Sequence, residues 1–208
     1  MDREGGTYAL VLELRKGARI QIGRLRRVRF PPGFYFYVGS ALGPGGIRAR
    51  VARHLSLSKK PHWHIDFLRP HATIVEVWFS PGRRRREHDW ARRLAHMKGS
   101  SIRVARFGAS DCDCPSHLIR FDRRLSYRRF ERLVRELDST HPRLRHERYA
   151  SNGSRNCVKT GLQALQRRYP VAEAFKNRRA AMKTSPLPQR TGMVSEAPRP
   201  FKTIWSEP

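Results

Sequence analysis

The chain has little acid, few cysteines and no long apolar stretch, and each shortage excludes something. Only 17 Asp+Glu stand against 44 Lys+Arg, a formal net charge of +27 on 208 residues. Such a balance says nothing about fold. It predicts attraction to polyanions through phosphate neutralisation and counterion release. A ribosome- or membrane-surface protein that is merely basic would share it. Three cysteines, Cys112, Cys114 and Cys157, are too few for a disulfide scaffold and suggest a reducing compartment, so a cytoplasmic location is expected. No apolar run approaches the ~18 residues that span a bilayer. The start, Met1-Asp2-Arg3-Glu4, lacks the apolar stretch of a signal peptide. A membrane role is therefore not expected, nucleic acid is the natural partner, and no internal repeat is visible.

What is present begins with two tripeptides, Gly6-Thr7-Tyr8 and Tyr37-Val38-Gly39. Each sits in an alternating apolar run. Tyr8, Leu10, Leu12 and Leu14 share one strand face; Tyr35, Tyr37 and Gly39 share one face of a second strand, with Phe34, Phe36 and Val38 on the other. Strands are expected over 6–14 and 33–39, the latter entered through Pro31-Pro32-Gly33, with a basic strand or hairpin arm over 19–30. After the loop Gly43-Pro44-Gly45-Gly46, a helix is expected over 46–57, with Ile47, Val51 and Leu55 on one face. Arg50 and His54, four apart, project together from it. Residues 72–79 read as a strand, 84–97 as a helix with Glu87, Trp90, Ala91 and Leu94 on one stripe, and 102–107 and 117–121 as short closing strands. Glu76 is a second acidic candidate, assigned by alternation to the face of Ile74 and Trp78 and ranked below Glu87. Beyond 122 the texture becomes basic and helical. Ser126 could cap a helix bearing Phe130, Leu133, Val134 and Leu137, and Ser154 another bearing Val158, Leu162 and Leu165. The expected divisions are 5–121, a basic helical extension over 122–169, and a disordered tail over 170–208, Pro-rich from Pro186.

The ordered series Gly6-Thr7-Tyr8, Tyr37-Val38-Gly39-Ser40-Ala41, Arg50-Val51-Ala52-Arg53-His54 and Glu87 resembles the GIY-YIG nuclease superfamily over roughly residues 5–121. Tyr37-Val38-Gly39-Ser40-Ala41-Leu42-Gly43, His62-Trp63-His64-Ile65-Asp66 and Asp111-Cys112-Asp113-Cys114-Pro115-Ser116-His117 narrow the resemblance. They point to a prokaryotic branch of unassigned function, some members of which are fused to a DNA-repair glycosylase. The resemblance implies an α+β fold with a small, about three-stranded antiparallel sheet flanked by helices. It implies that Tyr8, Tyr37 and Arg50 surround a scissile phosphate, that Glu87 holds one divalent cation, and that His54 matches a histidine one turn after the arginine. Thr7 and Val38 each replace isoleucine, and the Gly43–Gly46 loop lengthens the link to Arg50. The usual late asparagine has no match, with Ser110 and His117 as substitutes.

Phosphodiester hydrolysis needs an activated water, charge stabilisation and help for the leaving oxygen. Mg²⁺ (or Mn²⁺) on Glu87 would serve the leaving oxygen, and Arg50 would support the phosphate through a planar fork. Tyr8, beside cationic groups, would act as base and Tyr37 would position water or phosphate; a free phenol, with a pKa of about 10, is a poor base at neutral pH. Taken singly, the tyrosines read equally as sheet core, and Glu87 as a helix N-terminal acid. His62, His64 and Asp66, with Cys112, Cys114 and His117, could form a metal or proton-transfer cluster, Zn²⁺ included, or a polar network that closes the sheet. Arg53, Lys59, Lys60, Arg84 and Arg85 are candidates for tracking a nucleic-acid backbone, or a solvated face. The expectation is a metal-dependent endonuclease acting on DNA rather than RNA. The alternative is a non-catalytic nucleic-acid-binding module on the same fold, with an RNA-directed or ribosome-associated factor behind it. The sequence sets no oligomeric state.

Overall fold

The computed structural model describes residues 4–23 and 27–149. The first hairpin-like unit is β1 (Gly6–Leu14) and β4 (Gly33–Ser40), paired antiparallel with Tyr8 opposite Gly39 and Leu10 opposite Tyr37. Between them, β2 (Ala18–Gln21) and β3 (Arg27–Phe30) form a separate two-stranded arm. On its other edge β1 pairs antiparallel with β5 (Thr73–Pro81). Adding β6 (Ser100–Ser101), β7 (Leu118–Phe121) and β8 (Arg145–Arg148) completes a six-stranded antiparallel sheet, ordered β6-β7-β4-β1-β5-β8.

The α+β class is as expected, but the sheet has six strands, not about three. Both of its faces are covered, which is why β1 is buried at eight of its nine positions. One face carries Tyr8, Leu10, Leu12, Tyr35 and Tyr37. It packs under α1 (Gly46–Leu55) through Ile47 and Val51, and under α2 (His64–Leu68) through Ile65 and Leu68. The opposite face carries Val11, Phe36, Val38 and Trp78. It packs under α3 (Glu87–Ala95) through Trp90 and Leu94, and under α4 (Tyr127–Leu137) through Phe130 and Val134. Trp78 stacks on Phe130 at 5.2 Å, and Phe130 meets Trp90 edge-on. Such pairs add about 0.5–1.5 kcal/mol each beyond the area they bury.

Three expectations change here. Residues 102–107 form no strand: Arg106 sits at φ 60°, and its amide bonds Pro115 O, so the segment is a loop tied to the chain before β7. The boundary at 121 does not close the core, because α4 and β8 belong to the same packed body. Ser126 does cap α4, its Oγ accepting from the Arg129 amide at 3.2 Å. Glu76 shares a face with Trp78 but not with Ile74. The β1–β5 register shifts between Val11 and Leu12, so that Val11 faces Glu76 and Leu12 faces Ile74. That bulge inserts Val75 and breaks the alternation. The expected helix after Ser154 and the tail over 170–208 lie outside the described residues. Among the described residues no helix is long and apolar enough to cross a membrane.

Candidate active site

Each residue of Gly6-Thr7-Tyr8 has a separate job. A Cβ on Gly6 would lie 2.3 Å from Ser80 O and 2.6 Å from Ile47 Cδ1, so only glycine lets β1 lie this close to β5 and α1. Thr7 is buried, and its Oγ1 accepts from the Arg86 amide at 3.2 Å, which ties the start of α3 to β1. Tyr8 projects to the α1 side. Opposite it, a Cβ on Gly39 would lie 2.6 Å from Tyr8 Oη, so the second tripeptide's glycine makes room for the first tripeptide's phenol.

His54 on α1 closes over the two tyrosines. Its Nε2 is 2.8 Å from Tyr8 Oη, and its ring meets Tyr37 edge-on at 5.8 Å and Trp63 at 5.5 Å. The histidine is fully buried, and burial, reinforced by Lys59 and Arg50 and opposed by Asp66, pushes its pKa down to about 3. It is a neutral imidazole at physiological pH. Its main-chain carbonyl is fixed by Arg69 Nε at 2.9 Å. Burial raises the Tyr8 phenol well above its usual value; Tyr37 adds to the rise and Arg50 opposes it. Tyr37 is raised likewise by burial and Asp66, again against Arg50. Arg50, one turn before His54, lies with its guanidinium 4.5 Å from the Trp63 ring centre. Among the described residues no carboxylate pairs with it.

Glu87 opens α3 and is buried, 3 % exposed. Its Oε1 lies 3.7 Å from Arg85 Nη1 and 3.8 Å from His88 Nε2, both longer than hydrogen bonds, and its Oε2 is buried with no hydrogen-bond partner among the described residues. The inward orientation expected from the helical stripe therefore holds.

Tyr8, Tyr37, Arg50 and Glu87 line one cavity of about 410 Å³, together with His62, His64, Ser110, Asp111 and His117. His54 lies behind Tyr8. His64 Nδ1 accepts from the Gly108 amide at 3.2 Å, which leaves its proton on Nε2; burial lowers its pKa. A second cavity of about 440 Å³ lies between α3 and α4, lined by Arg84, Arg86, Arg92, Arg93 and His96 among others. It contains no phenol, and its Asp138 is paired with Arg84 and Arg86.

Asp66 does not join a histidine cluster. It is held by charge and by amides: Lys59 Nζ forms an ion pair with Oδ1 at 2.6 Å, although Oδ1 makes no well-oriented hydrogen bond among the described residues, Arg53 Nη2 lies 3.4 Å from Oδ2, and the His62 and Trp63 amides donate to Oδ2 at 3.0 and 3.1 Å. Burial pushes its pKa up, but Lys59 and the two amides outweigh this and hold it below the ordinary range. Lys59 and Arg53, candidates for backbone contact, are occupied as the partners of Asp66, and Arg53 also lies over Trp63 at 4.5 Å. Arg84 pairs with Asp138 at 3.0 Å. Arg85 lines the cavity with its side chain 64 % exposed, and Lys60 is exposed.

Cys112, Cys114 and His117 come together as expected, but the fourth member of the group is His88 rather than His62 or His64. His88, Cys112, Cys114 and His117 place one ligand atom each within 4.8 Å of one another, a group that could hold a metal ion. Cys114 Sγ is 3.4 Å from His88 Nδ1, and Cys112 Sγ is 3.4 Å from His117 Nε2. His62, His64 and Asp66 are not in this group. His88 carries no spacing signal in the sequence; its adjacency to an inward-facing Glu87 on a helix was the only clue.

Fold and site together define an α+β domain with a tyrosine–histidine–arginine pocket beside a Cys₂His₂ cluster. Residues 7–139 match the family model of the domain of unknown function DUF123, and the chain belongs to this family. No curated protein and no solved structure matches the chain.

Proposed function

We propose that the cavity between α1 and the start of α3 is the site of a GIY-YIG-like endonuclease that hydrolyses phosphodiester bonds in DNA with the help of Mg²⁺ or Mn²⁺. The observation that carries this reading is a buried Glu87 oxygen with no hydrogen-bond partner among the described residues, on a side chain that lines the same cavity as two phenols and an arginine with no carboxylate partner among those residues. A buried carboxylate oxygen left unsatisfied is costly. One carboxylate with water completing the shell suits a hard divalent ion, so Glu87 fits the cation that the reading requires. When bound there, such a cation supplies stabilisation for charge developing on the phosphate and leaving oxygen.

The chain's own residues do the remainder. Arg50, braced on Trp63, binds the phosphate oxygens through its fork. Tyr37 and Tyr8 present hydroxyls from adjacent strands and orient the phosphate or the attacking water. Tyr8 is not a ready base by itself, since its phenol is raised by burial and the imidazole 2.8 Å from its hydroxyl, that of His54, resists protonation. His54 therefore orients the Tyr8 hydroxyl, and loss of the phenolic proton requires added positive charge in the cavity. The strongly basic composition supplies affinity for the backbone.

The same observation on Tyr8 favours one second reading, a nucleic-acid-binding module without catalysis. Incubating branched, nicked, single-stranded and duplex DNA, and RNA, with and without Mg²⁺ or Mn²⁺ separates the two. Cation-dependent cleavage that is lost in Glu87→Gln and Arg50→Ala is expected. Tight binding with no cleavage of any substrate would select the binding module.

A further inference from the structure

We propose that His88, Cys112, Cys114 and His117 form a zinc-class metal centre that also positions Glu87, through the imidazole of His88. The metal centre stands on the cluster alone; the functional purpose of positioning Glu87 rests on the cavity being a cation-assisted nuclease site.

The ligands converge from separate segments: His88 from α3, Cys112 and Cys114 from the loop after Ala109, and His117 from the residue before β7. Two thiols and two imidazoles are a soft-to-borderline set, suited to zinc rather than to magnesium or calcium. The spacing agrees. A tetrahedral site with Zn–S near 2.3 Å and Zn–N near 2.0–2.1 Å has sulfur–nitrogen edges of about 3.5 Å. Cys112 Sγ to His117 Nε2 and Cys114 Sγ to His88 Nδ1 are both 3.4 Å, and all four ligand atoms lie within 4.8 Å of one another. The two cysteines are free thiols, and a bridge between such close neighbours would be strained. The loop is held before any metal arrives: the Arg106 guanidinium bonds Cys112 O, the Arg106 amide bonds Pro115 O, and the His117 amide bonds Phe107 O at 2.8 Å. Binding releases the two thiol protons, so a doubly charged cation on two thiolates adds no net charge. Its effect on the neighbouring cavity must then be directional.

His88 supplies the direction. Its Nδ1 faces Cys114, and its Nε2 faces Glu87 Oε1 at 3.8 Å. A metal on Nδ1 compels the neutral ring to carry its proton on Nε2, the nitrogen turned to the carboxylate. A small rotation that shortens the 3.8 Å separation to a hydrogen bond would make a carboxylate–histidine–metal chain, which orients the ligand and the acid together. Without a metal the proton can sit on either nitrogen, and Glu87 loses a fixed neighbour.

The test begins with the full chain, purified from zinc-supplemented cells and dialysed. One equivalent of zinc by elemental analysis is expected, together with a tetrahedral thiolate spectrum on exchange for Co²⁺. Less than a tenth of an equivalent, also after anaerobic reconstitution with zinc, overturns the centre. His88→Cys isolates the positioning role, because a Cys₃His set still binds zinc but has no Nε2. That variant should keep zinc and its melting temperature, yet bind Mn²⁺ in the cavity about tenfold more weakly, read by electron paramagnetic resonance without nucleic acid. In the wild type, Glu87→Gln should move the ¹⁵N resonance of His88 Nε2. An unmoved resonance, or unchanged Mn²⁺ affinity in zinc-loaded His88→Cys, overturns the positioning. A zinc-loaded wild type that shows the Glu87–His88 coupling and cuts no nucleic acid overturns the nuclease reading alone.

Discussion

Glu76 and Glu87 are buried to the same degree, 2 % and 3 % exposed, and their surroundings are opposite. Glu76 is saturated: Arg124 Nη2 lies at 2.5 Å, Arg148 Nε at 2.9 Å, and Trp78 Nε1 donates at 2.9 Å. Among the described residues Glu87 has no cationic neighbour closer than 3.7 Å, and one of its oxygens has no hydrogen-bond partner. Burial alone therefore does not mark a functional acid. Saturation separates a carboxylate that holds the sheet together from one left open to a cation. Two of the groups that satisfy Glu76 come from beyond residue 121, on the approach to α4 and on β8, so the stretch expected to be an appendage is what makes Glu76 structural.

The sharpest way to break this contrast is the same isosteric change at both positions. Glu87→Gln should reduce cation-dependent cleavage about 10³-fold, the scale on which one preorganised electrostatic contact acts. It should leave the melting temperature unchanged or slightly higher, because an unpaired buried charge has been removed. Glu76→Gln should leave cleavage within about twofold and destabilise the fold by about 1–3 kcal/mol. Denaturant titration of each variant beside a cleavage assay tests both halves. Equal stability losses at the two sites would remove the distinction.

Two groups on the α1 side of the sheet also differ in acid. His54, behind Tyr8, has a folded pKa of about 3 against an ordinary 6.5. Its neutral form is the one the fold accepts. The stability it contributes is fully present above pH 6.5 and is lost as pH falls from there toward 3, because the unfolded chain takes up the proton first. At pH 5.5 the loss is about 1.4 kcal/mol. Asp66, depressed below its ordinary 3.8, keeps its contribution until pH falls through that lower range, so the two effects separate. Unfolding free energies at pH 7.5 and 5.5 should show a loss in wild type that is smaller by about 1.4 kcal/mol in His54→Gln, with His64, His117 and His141, whose pKa values are also lowered, keeping the remainder. A variant that retained the full loss would assign it elsewhere.

These contrasts mark how far the sequence could be read. Period-two runs placed Tyr8 and Tyr37 on defined faces of two strands, and 3.6-residue spacing projected Arg50 and His54 together from one helix and turned Glu87 inward. Those signals are local, and the structure keeps them. β8 reads Arg-His-Glu-Arg and β6 is two residues long, so neither has an apolar alternation to detect. The Val75 bulge shifts the β1–β5 register by one residue, which strict alternation along β5 cannot announce. Asp66 and Lys59 stood in view as neighbouring motifs, yet their 2.6 Å pairing is tertiary. His88 joined the cysteines across 26 positions, beyond any spacing rule, and that kind of convergence becomes visible only once the sheet has brought α3 and the loop before β7 together.

The smallest expected effect compares an open cation with an occupied one. Arg85 lines the cavity with its side chain 64 % exposed, whereas Lys59 is 13 % exposed and held by Asp66. If the cavity receives a nucleic-acid backbone, Arg85 neutralises a phosphate and releases counterions, and Lys59 does not. Arg85→Ala should weaken binding a few-fold at moderate salt and lower the slope of log affinity against log salt by about one, equally across sequences. Lys59→Ala should leave that slope unchanged and act through stability, since it strips a buried carboxylate of its closest cation. Fluorescence anisotropy over a salt series separates these outcomes. A slope that fell equally in both variants would mean that Lys59 leaves Asp66 to meet the backbone, and the line between saturated and open charge would have to be redrawn.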